Sequence, residues 1–237
     1  MRVNSGIKSL RRVPLFKTLA DSELDEIEKL CSWRSYHAGE EILAYLDSGD
    51  DVYFIIAGKG KVIIYSAQGR AVGFRDIVPG DIFGEYAAID GGSRSASIEA
   101  DAACTVAIMS SHDFNSLIST NPSVSRMLIQ HLTRQLRAMT QRVFEFSTLA
   151  VNNRIQAELL RLAREGATDG SSPEGTRYIT PRPTHAEIAA RVSTHREAVT
   201  RHLSKLTKTG LIERKGRSLI VKDVERLDRM VRNATGE

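Results

Sequence analysis

A short segment in the first half of the chain combines glycine, carboxylate and arginine residues at a spacing that suits one small anionic ligand. It reads PGDIFGEYAAIDGGSRSAS over residues 79–97, with Glu85 and Arg94 nine positions apart. An Arg can neutralise a phosphodiester and donate paired hydrogen bonds to it. A helical turn from Gly84 would add backbone N–H groups, and Glu85 could accept from a ribose hydroxyl. The segment predicts a site for a sugar phosphate; the simplest alternative is a surface Glu85–Arg94 salt bridge.

A second group of polar side chains lies on two short helices predicted near the end of the chain. Thr184 can cap the first helix, and the second begins at His195 and has an apolar inner face. Arg can read a guanine edge and Glu can accept from cytosine, while the basic stretch 214–217 fits a contact to the DNA backbone. The predicted DNA-binding residues are Thr184, His195, Arg196, Glu197, Thr200, Arg201 and Lys205.

The charge of the chain is concentrated around these helices. Residues 177–222 hold 11 Lys and Arg against 3 Asp and Glu, a net charge of +8. The rest of the chain holds 22 Lys and Arg against 26 Asp and Glu, a net charge of −4. A basic segment on a mildly acidic body indicates a polyanionic partner. The alternatives are a well-solvated charged surface and a winged helix used for protein contacts.

Between the two groups, the pattern after Pro122 predicts one long helix. Its apolar residues alternate at spacings of three and four, as in the seam of a helical dimer. A single domain could also use such a stripe as its own core, but flanking polar residues such as Arg134 and Gln141 favour pairing of two chains. The predicted interface residues are Ile129, Leu132, Leu136, Met139, Val143 and Phe146.

The elements that must position the first site are short strands. From about Ile42 to Met109, apolar bursts such as residues 52–56 and 62–65 alternate with glycine-rich turns. Regularly spaced short strands of this kind are typical of a β-sandwich or barrel. The basic stretch 214–217 lies between two further apolar runs, which predicts a hairpin next to the DNA-binding helices.

With these residues in view, the segment at 79–97 resembles the phosphate-binding cassette of the cyclic-nucleotide-binding domain family. The upstream stretches HAGEEIL and YFIIAGKGKVIIY resemble earlier strands of that family. The resemblance implies that Arg94 and Ser95 hold a cyclic phosphate, that Glu85 holds the ribose, and that the backbone at Gly84 approaches the ligand. The further predicted ligand-binding residues are Val62, Phe74, Met139 and Thr140.

The stretch HAEIAARVSTHREAVTRHLSKLTKTGLIERKGRSLIV resembles the helix-turn-helix of the cyclic-AMP receptor protein/FNR family. Arg196, Glu197 and Arg201 match the Arg-Glu-x-x-x-Arg triplet that reads a TGTGA-like half-site in catabolite-activator-like members. Two positions depart from the family pattern, because Ser193 stands at the usual turn glycine and His195 where Ser is frequent.

On the long helix, Met139 and Thr140 fall where relatives carry two hydroxyl residues that contact adenine, so one hydroxyl is kept and one is lost. Gln135 replaces an Arg that reaches the cassette Glu in those relatives. Both departures leave cyclic AMP and cyclic GMP open as the ligand, since Ser95 and Thr140 could also hydrogen-bond a guanine.

Together these features predict an α+β protein with three parts. Residues 1–121 form a cyclic-nucleotide-binding β-barrel of the double-stranded β-helix or jelly-roll type, residues 122–150 a dimerisation helix and hinge, and residues 151–237 a winged helix-turn-helix. The expected activity is that of a transcription regulator and not of an enzyme. Cyclic AMP, cyclic GMP or both act as effector, and the expected partners are palindromic double-stranded DNA, a second copy of the chain and RNA polymerase, with no membrane.

Other classes fit the sequence less well. A cupin-type metalloenzyme needs clustered ligands, whereas His37, His112 and His131 are scattered and no metal is expected. Cys31 and Cys104 form no CxxC pair. Two alternatives remain, a sensor of another ligand and a regulator that works without a nucleotide. The intact cassette argues against both. No apolar run marks a secretion signal within residues 1–10, so a cytoplasmic location is expected.

Overall fold

A computed structural model describes residues 9–69, 71–168 and 173–236, apart from the side chain of Phe74. The chain divides into two compact units, Met1–Leu136 and Arg137–Glu237. This division lies inside the long helix, whereas the sequence placed domain boundaries at either end of it.

The first unit is built mainly from strands that alternate between buried and partly exposed residues. Helix α1 (Asp21–Lys29) precedes them, and the short helix α2 (Glu85–Asp90) interrupts them. The strands are β1 (Cys31–Tyr36), β2 (Glu41–Leu43), β3 (Val52–Ala57), β4 (Gly60–Tyr65), β5 (Ala71–Ile77), β6 (Ile82–Phe83), β7 (Ser97–Ala100) and β8 (Cys104–Met109).

The strands pair into two antiparallel four-stranded sheets. One sheet has the order β1-β8-β3-β6 and the other the order β2-β7-β4-β5. The interior between them includes Ile55, Ile77, Phe83 and Val106, all almost fully buried. The pairing of β4 with β5 shifts register between Val62 and Ile63, a bulge that bends the strand and redirects side chains. This arrangement confirms the predicted β-barrel of jelly-roll type.

Two helices follow the strands. Helix α3 (Ser111–Thr120) begins at a Ser110 cap whose side chain accepts from the Asp113 amide, and α4 (Pro122–Thr148) is the predicted long helix. Phe114 and Val124 are fully buried in a core that also contains Phe54 and Met109. Because its first turns pack on the sheet, α4 is held at a fixed position next to α2, where the candidate pocket lies.

The second unit is a small helical domain with a three-stranded sheet of order β10-β11-β9. Ile155, Leu159, Ile188 and Leu203 form the centre of its core. Its elements are α5 (Val151–Glu165), β9 (Arg177–Ile179), α6 (His185–Arg191), α7 (Arg196–Lys208), β10 (Ile212–Lys215), β11 (Ser218–Val221) and α8 (Val224–Thr235). This is the predicted winged helix-turn-helix.

A buried carboxylate fixes the helices of this unit to one another. Glu158 on α5 is 1% exposed and accepts hydrogen bonds from Arg161, from Arg142 on α4 at 3.4 Å and from Arg191 on α6 at 3.2 Å. Arg161 also pairs with Glu145 of α4 at 2.9 Å. A buried charge is tolerated only when it is paired in this way, and these ion pairs connect the end of α4 to α5 and α6.

Among the described residues, no helix combines the length and apolar character that crossing a lipid bilayer requires.

Candidate ligand pocket and DNA-binding surface

The cassette residues line one open pocket in the first unit. The pocket holds about 450 Å³ of space free of protein atoms, counting the part open to solvent. It brings together Gly84, Glu85, Arg94, Ser95 and Val62, five of the predicted ligand-binding residues. The other lining residues are Leu43, Arg75, Phe83, Tyr86, Ala87, Ala96, Ile98 and Gln135.

Arg94 is 3% exposed and is held by backbone carbonyl groups. Its Nη1 donates to the oxygen of Gly84 at 2.8 Å and its Nη2 to the oxygen of Asp51 at 2.9 Å. The Nε atom is buried and has no hydrogen-bond partner among the described residues. A guanidinium has five donors, so Arg94 is fixed in place with donors left for a ligand. A buried unpaired donor is costly unless a ligand completes it.

The backbone around Arg94 explains why Gly84 is needed. Gly84 has φ +81°, and a Cβ there would lie 2.8 Å from Nη1 of Arg94 and 2.9 Å from the oxygen of Asp51. The loop before β3 closes the other side, since the Leu46 amide donates to the Arg94 carbonyl and the Arg94 amide donates to Asp47. Only glycine therefore allows the arginine to reach both carbonyl groups.

Glu85 is also buried, and its partners come from α4. Gln135 Nε2 donates to Glu85 Oε1 at 3.1 Å, and the Tyr86 hydroxyl donates to Gln135 Oε1 at 3.2 Å. His131 Nε2 lies 3.7 Å from the same carboxylate oxygen. Glu85 and Arg94 are thus held separately by other groups, which excludes the simple surface salt bridge as the reason for their spacing.

Ser95, which lines the pocket, is exposed next to the buried Arg94. Three predicted ligand-binding residues remain. The side chain of Phe74 lies outside the described residues. Met139 and Thr140 belong to the second unit, so their part in ligand binding stays a prediction.

Three residues near the site were not predicted from the sequence. Arg75 and Tyr86 line the pocket, and His131 lies close to the Glu85 carboxylate. Arg75 lies on β5 opposite Val62. Its place is a consequence of the strand pairing, and the only sequence signal was the charged pair Arg75 and Asp76 within an otherwise uncharged strand.

In the second unit, α6 and α7 form the predicted helix-turn-helix. Thr184 caps α6 and accepts from the Glu187 amide, while Glu187 reaches back to the Thr184 amide. Ser193 in the turn has φ +53°, the left-handed conformation that favours the glycine usual at this place. His195 is the N-cap of α7 and not its first residue, which corrects the predicted start by one position.

Helix α7 presents its predicted face to solvent. Val199, Leu203 and Leu206 are buried. The predicted DNA-contacting residues of this helix are all exposed: Arg196, Glu197, Thr200, Arg201 and Lys205. The hairpin of β10 and β11 adds exposed Arg214, Lys215 and Arg217. These side chains make a basic surface suited to a phosphate backbone and base edges.

His185 connects the two parts of this surface. Arg214 Nη2 lies 2.9 Å from His185 Nε2, and His185 Nδ1 lies 2.6 Å from the Thr200 hydroxyl. Because guanidinium only donates, Nε2 must accept and Nδ1–H donates to Thr200, whose hydroxyl donates to the Arg196 carbonyl. Burial, and then three neighbouring arginines, lower the pKa of His185, which keeps the ring in this neutral form.

The predicted seam of α4 is largely exposed in the single chain. Ile129, Leu136 and Val143 are 63%, 68% and 64% exposed, and Phe146 is 40% exposed. Leu132 instead packs partly on the core of the first unit, and Met139 is half-buried. A row of exposed apolar residues on one helix is typical of an interaction surface.

Within the described ranges, no group of three or more His, Cys, Asp or Glu side chains could hold a metal ion. Burial raises the pKa of the Cys31 thiol to about 12, which leaves it unreactive at neutral pH.

Comparisons with known proteins identify the domain in each half of the chain. Residues 33–121 match the family model of the cyclic nucleotide-binding domain, and residues 153–230 match that of the Crp-like helix-turn-helix domain. The chain is 30% identical over 224 residues to the CRP-like cAMP-activated global transcriptional regulator of Mycobacterium tuberculosis, covering 94% of this chain and 98% of that protein.

Two further proteins show the same relationship. The cAMP-activated global transcriptional regulator CRP of Salmonella typhimurium is 28% identical over 208 residues, with 87% of this chain and 97% of that protein covered. A solved CRP/FNR-family regulator from Thermus thermophilus has a TM-score of 0.67 and 27% identity, over 84% of this chain and 98% of that one. These relatives are regulators and not enzymes, and this chain belongs to the CRP/FNR family of cyclic-nucleotide-binding transcription regulators.

Proposed function

We propose that a cyclic 3′,5′-mononucleotide binds the pocket of the first unit and thereby controls DNA binding by a homodimer. Cyclic AMP, cyclic GMP or both are the effector. The observation that carries this proposal is Arg94, a buried guanidinium fixed by two carbonyl groups whose Nε has no partner among the described residues. A singly charged cyclic phosphate supplies the acceptor and countercharge that such a group requires.

The ribose end of the ligand is assigned to Glu85. A 3′,5′-cyclic nucleotide keeps a free 2′-hydroxyl, which can donate to the carboxylate that Gln135 already orients at 3.1 Å. Met139 and Thr140, on the α4 helix that pairs the two chains, are proposed to contact the base. A ligand acts on DNA binding only through its higher affinity for one arrangement of the DNA-binding domains.

The proposed DNA target is a palindrome with TGTGA-like half-sites. Two chains paired along α4 would place two α7 helices about 34 Å apart, one turn of the duplex. Arg196, Glu197 and Arg201 then contact bases, and the hairpin around Arg214 contacts the backbone. The protein acts in the cytoplasm, where the DNA lies, and RNA polymerase is a proposed partner.

The test of the pocket is calorimetric titration of nucleotide-free protein with cyclic AMP and, in parallel, cyclic GMP. We expect saturable binding of at least one. Arg94→Ala should abolish it, and Arg126→Ala, which removes an exposed arginine from α4, should leave it unchanged. Full binding by Arg94→Ala, or binding of cyclic di-GMP in place of both mononucleotides, would contradict the assignment.

The test of the DNA surface compares two variants on specific and random duplexes. Arg201→Ala should lose affinity for the palindrome by about tenfold and little on random DNA, since a base contact is worth about 1–3 kcal/mol. Lys215→Ala should weaken both equally and reduce the salt dependence. An equal loss on both duplexes for Arg201→Ala would make that residue a backbone contact.

A further inference from the structure

The proposed phosphate and ribose contacts leave one residue near Glu85 without a role. Gln135 Nε2 donates to Glu85 Oε1 at 3.1 Å. His131 lies one helical turn earlier, so both side chains project from the same face of α4. His131 Nε2 lies 2.6 Å from Gln135 Nε2. The histidine therefore contacts the amide that orients the buried carboxylate.

The distances around Gln135 fix which nitrogen of His131 carries the proton. A carboxamide nitrogen donates and does not accept. Gln135 Nε2 has two hydrogens, of which one is directed at Glu85 and the other at His131. His131 Nε2 must then accept, so the ring carries its proton on Nδ1. His131 Nε2 and Glu85 Oε1 are 3.7 Å apart, which is too long for a direct hydrogen bond between them.

The other end of the amide is held by α2. The Tyr86 hydroxyl donates to Gln135 Oε1 at 3.2 Å. A phenol can also accept, so Tyr86 alone would tolerate a flipped amide. In the flipped orientation the amide oxygen would face the Glu85 carboxylate, and two acceptors would repel each other. His131 in its Nδ1–H form adds a second acceptor at the nitrogen end and so favours the orientation in which Gln135 donates to Glu85.

This orientation matters because Glu85 is 3% exposed and a buried carboxylate requires hydrogen bonds to its charged form. Gln is a long side chain that loses rotamer freedom when it is held. His131 and Tyr86 hold it before a ligand arrives, which reduces the entropy lost on binding.

We propose that His131 is a positioning residue for the ribose. It holds the Gln135 amide with its nitrogen towards Glu85, and so makes the pocket prefer a nucleotide that has a free 2′-hydroxyl. This inference rests on the proposed function, because it assumes that a cyclic mononucleotide places its ribose at Glu85.

The first experiment compares cyclic AMP and cyclic GMP with their 2′-deoxy analogues in calorimetric titrations of the full-length protein. In the wild type, we expect the better-bound nucleotide to bind at least about tenfold more tightly than its 2′-deoxy analogue, since the lost hydrogen bond is to a charged group. His131→Leu removes the acceptor and should reduce this ratio to about threefold or less. His131→Gln supplies an amide oxygen as acceptor and should restore the wild-type ratio.

The matched control is His112→Leu, which removes an exposed imidazole from α3 and should keep the wild-type ratio. An equal loss for the nucleotide and its 2′-deoxy analogue in His131→Leu, or a ratio that His131→Gln does not restore, would show a merely structural residue and overturn the proposal. Equal affinity of the wild type for a nucleotide and its 2′-deoxy analogue would overturn it as well. Binding of neither to the wild type would instead contradict the proposed function itself.

The second experiment needs no nucleotide, so its result does not depend on the proposed function. Two-bond proton–nitrogen correlation spectra of the ¹⁵N-histidine-labelled protein report which ring nitrogen holds the proton, at about pH 8, where a free imidazole is neutral. The signal that disappears in His131→Gln belongs to His131. We expect its proton on Nδ1. A proton on Nε2 would set a donor against the Gln135 amide nitrogen and would overturn the proposal.

Discussion

Arg94 and Glu85 are both buried although both are charged side chains. Each is held by hydrogen bonds to groups other than its oppositely charged neighbour. Arg94 is fixed by the carbonyl groups of Gly84 and Asp51, and Glu85 by Gln135. Neither neutralises the other. Keeping two opposite charges apart in a protein interior costs free energy that a single salt bridge would avoid. A ligand with an anionic phosphate and a hydroxyl donor satisfies both, which is why this pair indicates a sugar phosphate.

Gly84→Ala tests the close approach on which Arg94 depends. The new Cβ would press on Arg94 Nη1 and on the Asp51 oxygen, and the backbone would be held at φ +81°. We expect a loss of unfolding free energy of about 1–3 kcal/mol and nucleotide binding weakened about tenfold or more. Thermal unfolding and calorimetric titration would measure the two effects.

The matched control is Gly91→Ala, at the other end of α2. Gly91 has φ +70°, so it carries the same backbone strain, but an added Cβ would meet nothing within 4 Å. This variant should lose stability by about 1 kcal/mol and keep its nucleotide affinity. Equal losses of affinity in the two variants would show that backbone strain, and not the contact with Arg94, governs the pocket.

The elements that hold these residues could be predicted from the sequence where local pattern decides. The alternation of apolar residues and turns gave the strands, and the Thr184 cap and apolar spacing gave α6 and α7 close to their observed ends. Contacts between segments far apart in the sequence could not be predicted from local pattern. The Asp51 carbonyl, the loop at Leu46 and the position of Arg75 all follow from strand pairing and a register shift, and the His185 contacts follow from how the hairpin folds back.

His185 gives this element-level arrangement a dependence on pH. Its pKa is lowered in the folded chain, so the unfolded chain binds more protons in mildly acidic solution. Stability is then retained above about pH 6.5 and lost as the pH falls below it. We expect the unfolding temperature to fall between about pH 7.5 and pH 5.5.

The variant His185→Asn should show a smaller fall, because it removes one of the groups that resists protonation while an amide can still donate to Thr200. His202, whose pKa is lowered by burial and then by Lys205, contributes in the same direction, so some dependence should remain. Circular dichroism melts of both proteins over that pH range would measure it. Identical pH dependence in the two would show that His185 does not govern this response.

At the scale of the whole molecule, the proposed binding to a palindrome requires two chains. One chain exposes a row of apolar residues along α4, and a palindromic operator requires two copies of α7. Leu136→Glu should convert the dimer to a monomer, because a charge at the seam would be desolvated against its partner. Light scattering after size-exclusion chromatography would report the mass.

Gln130→Glu places the same charge on an exposed outer position of α4 and should leave the dimer intact. A wild-type monomer at micromolar concentration, or a dimer that survives Leu136→Glu, would contradict pairing through this helix.

Control of DNA binding by the nucleotide pocket is tested by the affinity of the full-length protein for a fluorescent palindromic duplex with TGTGA-like half-sites. The affinity is measured with and without saturating cyclic nucleotide at one salt concentration. We predict that cyclic GMP or cyclic AMP tightens binding at least about tenfold, a coupling typical of allosteric proteins. Arg94→Ala should bind the duplex weakly whether or not nucleotide is present. Equal affinity with and without either nucleotide in the wild type would contradict control of DNA binding by this pocket.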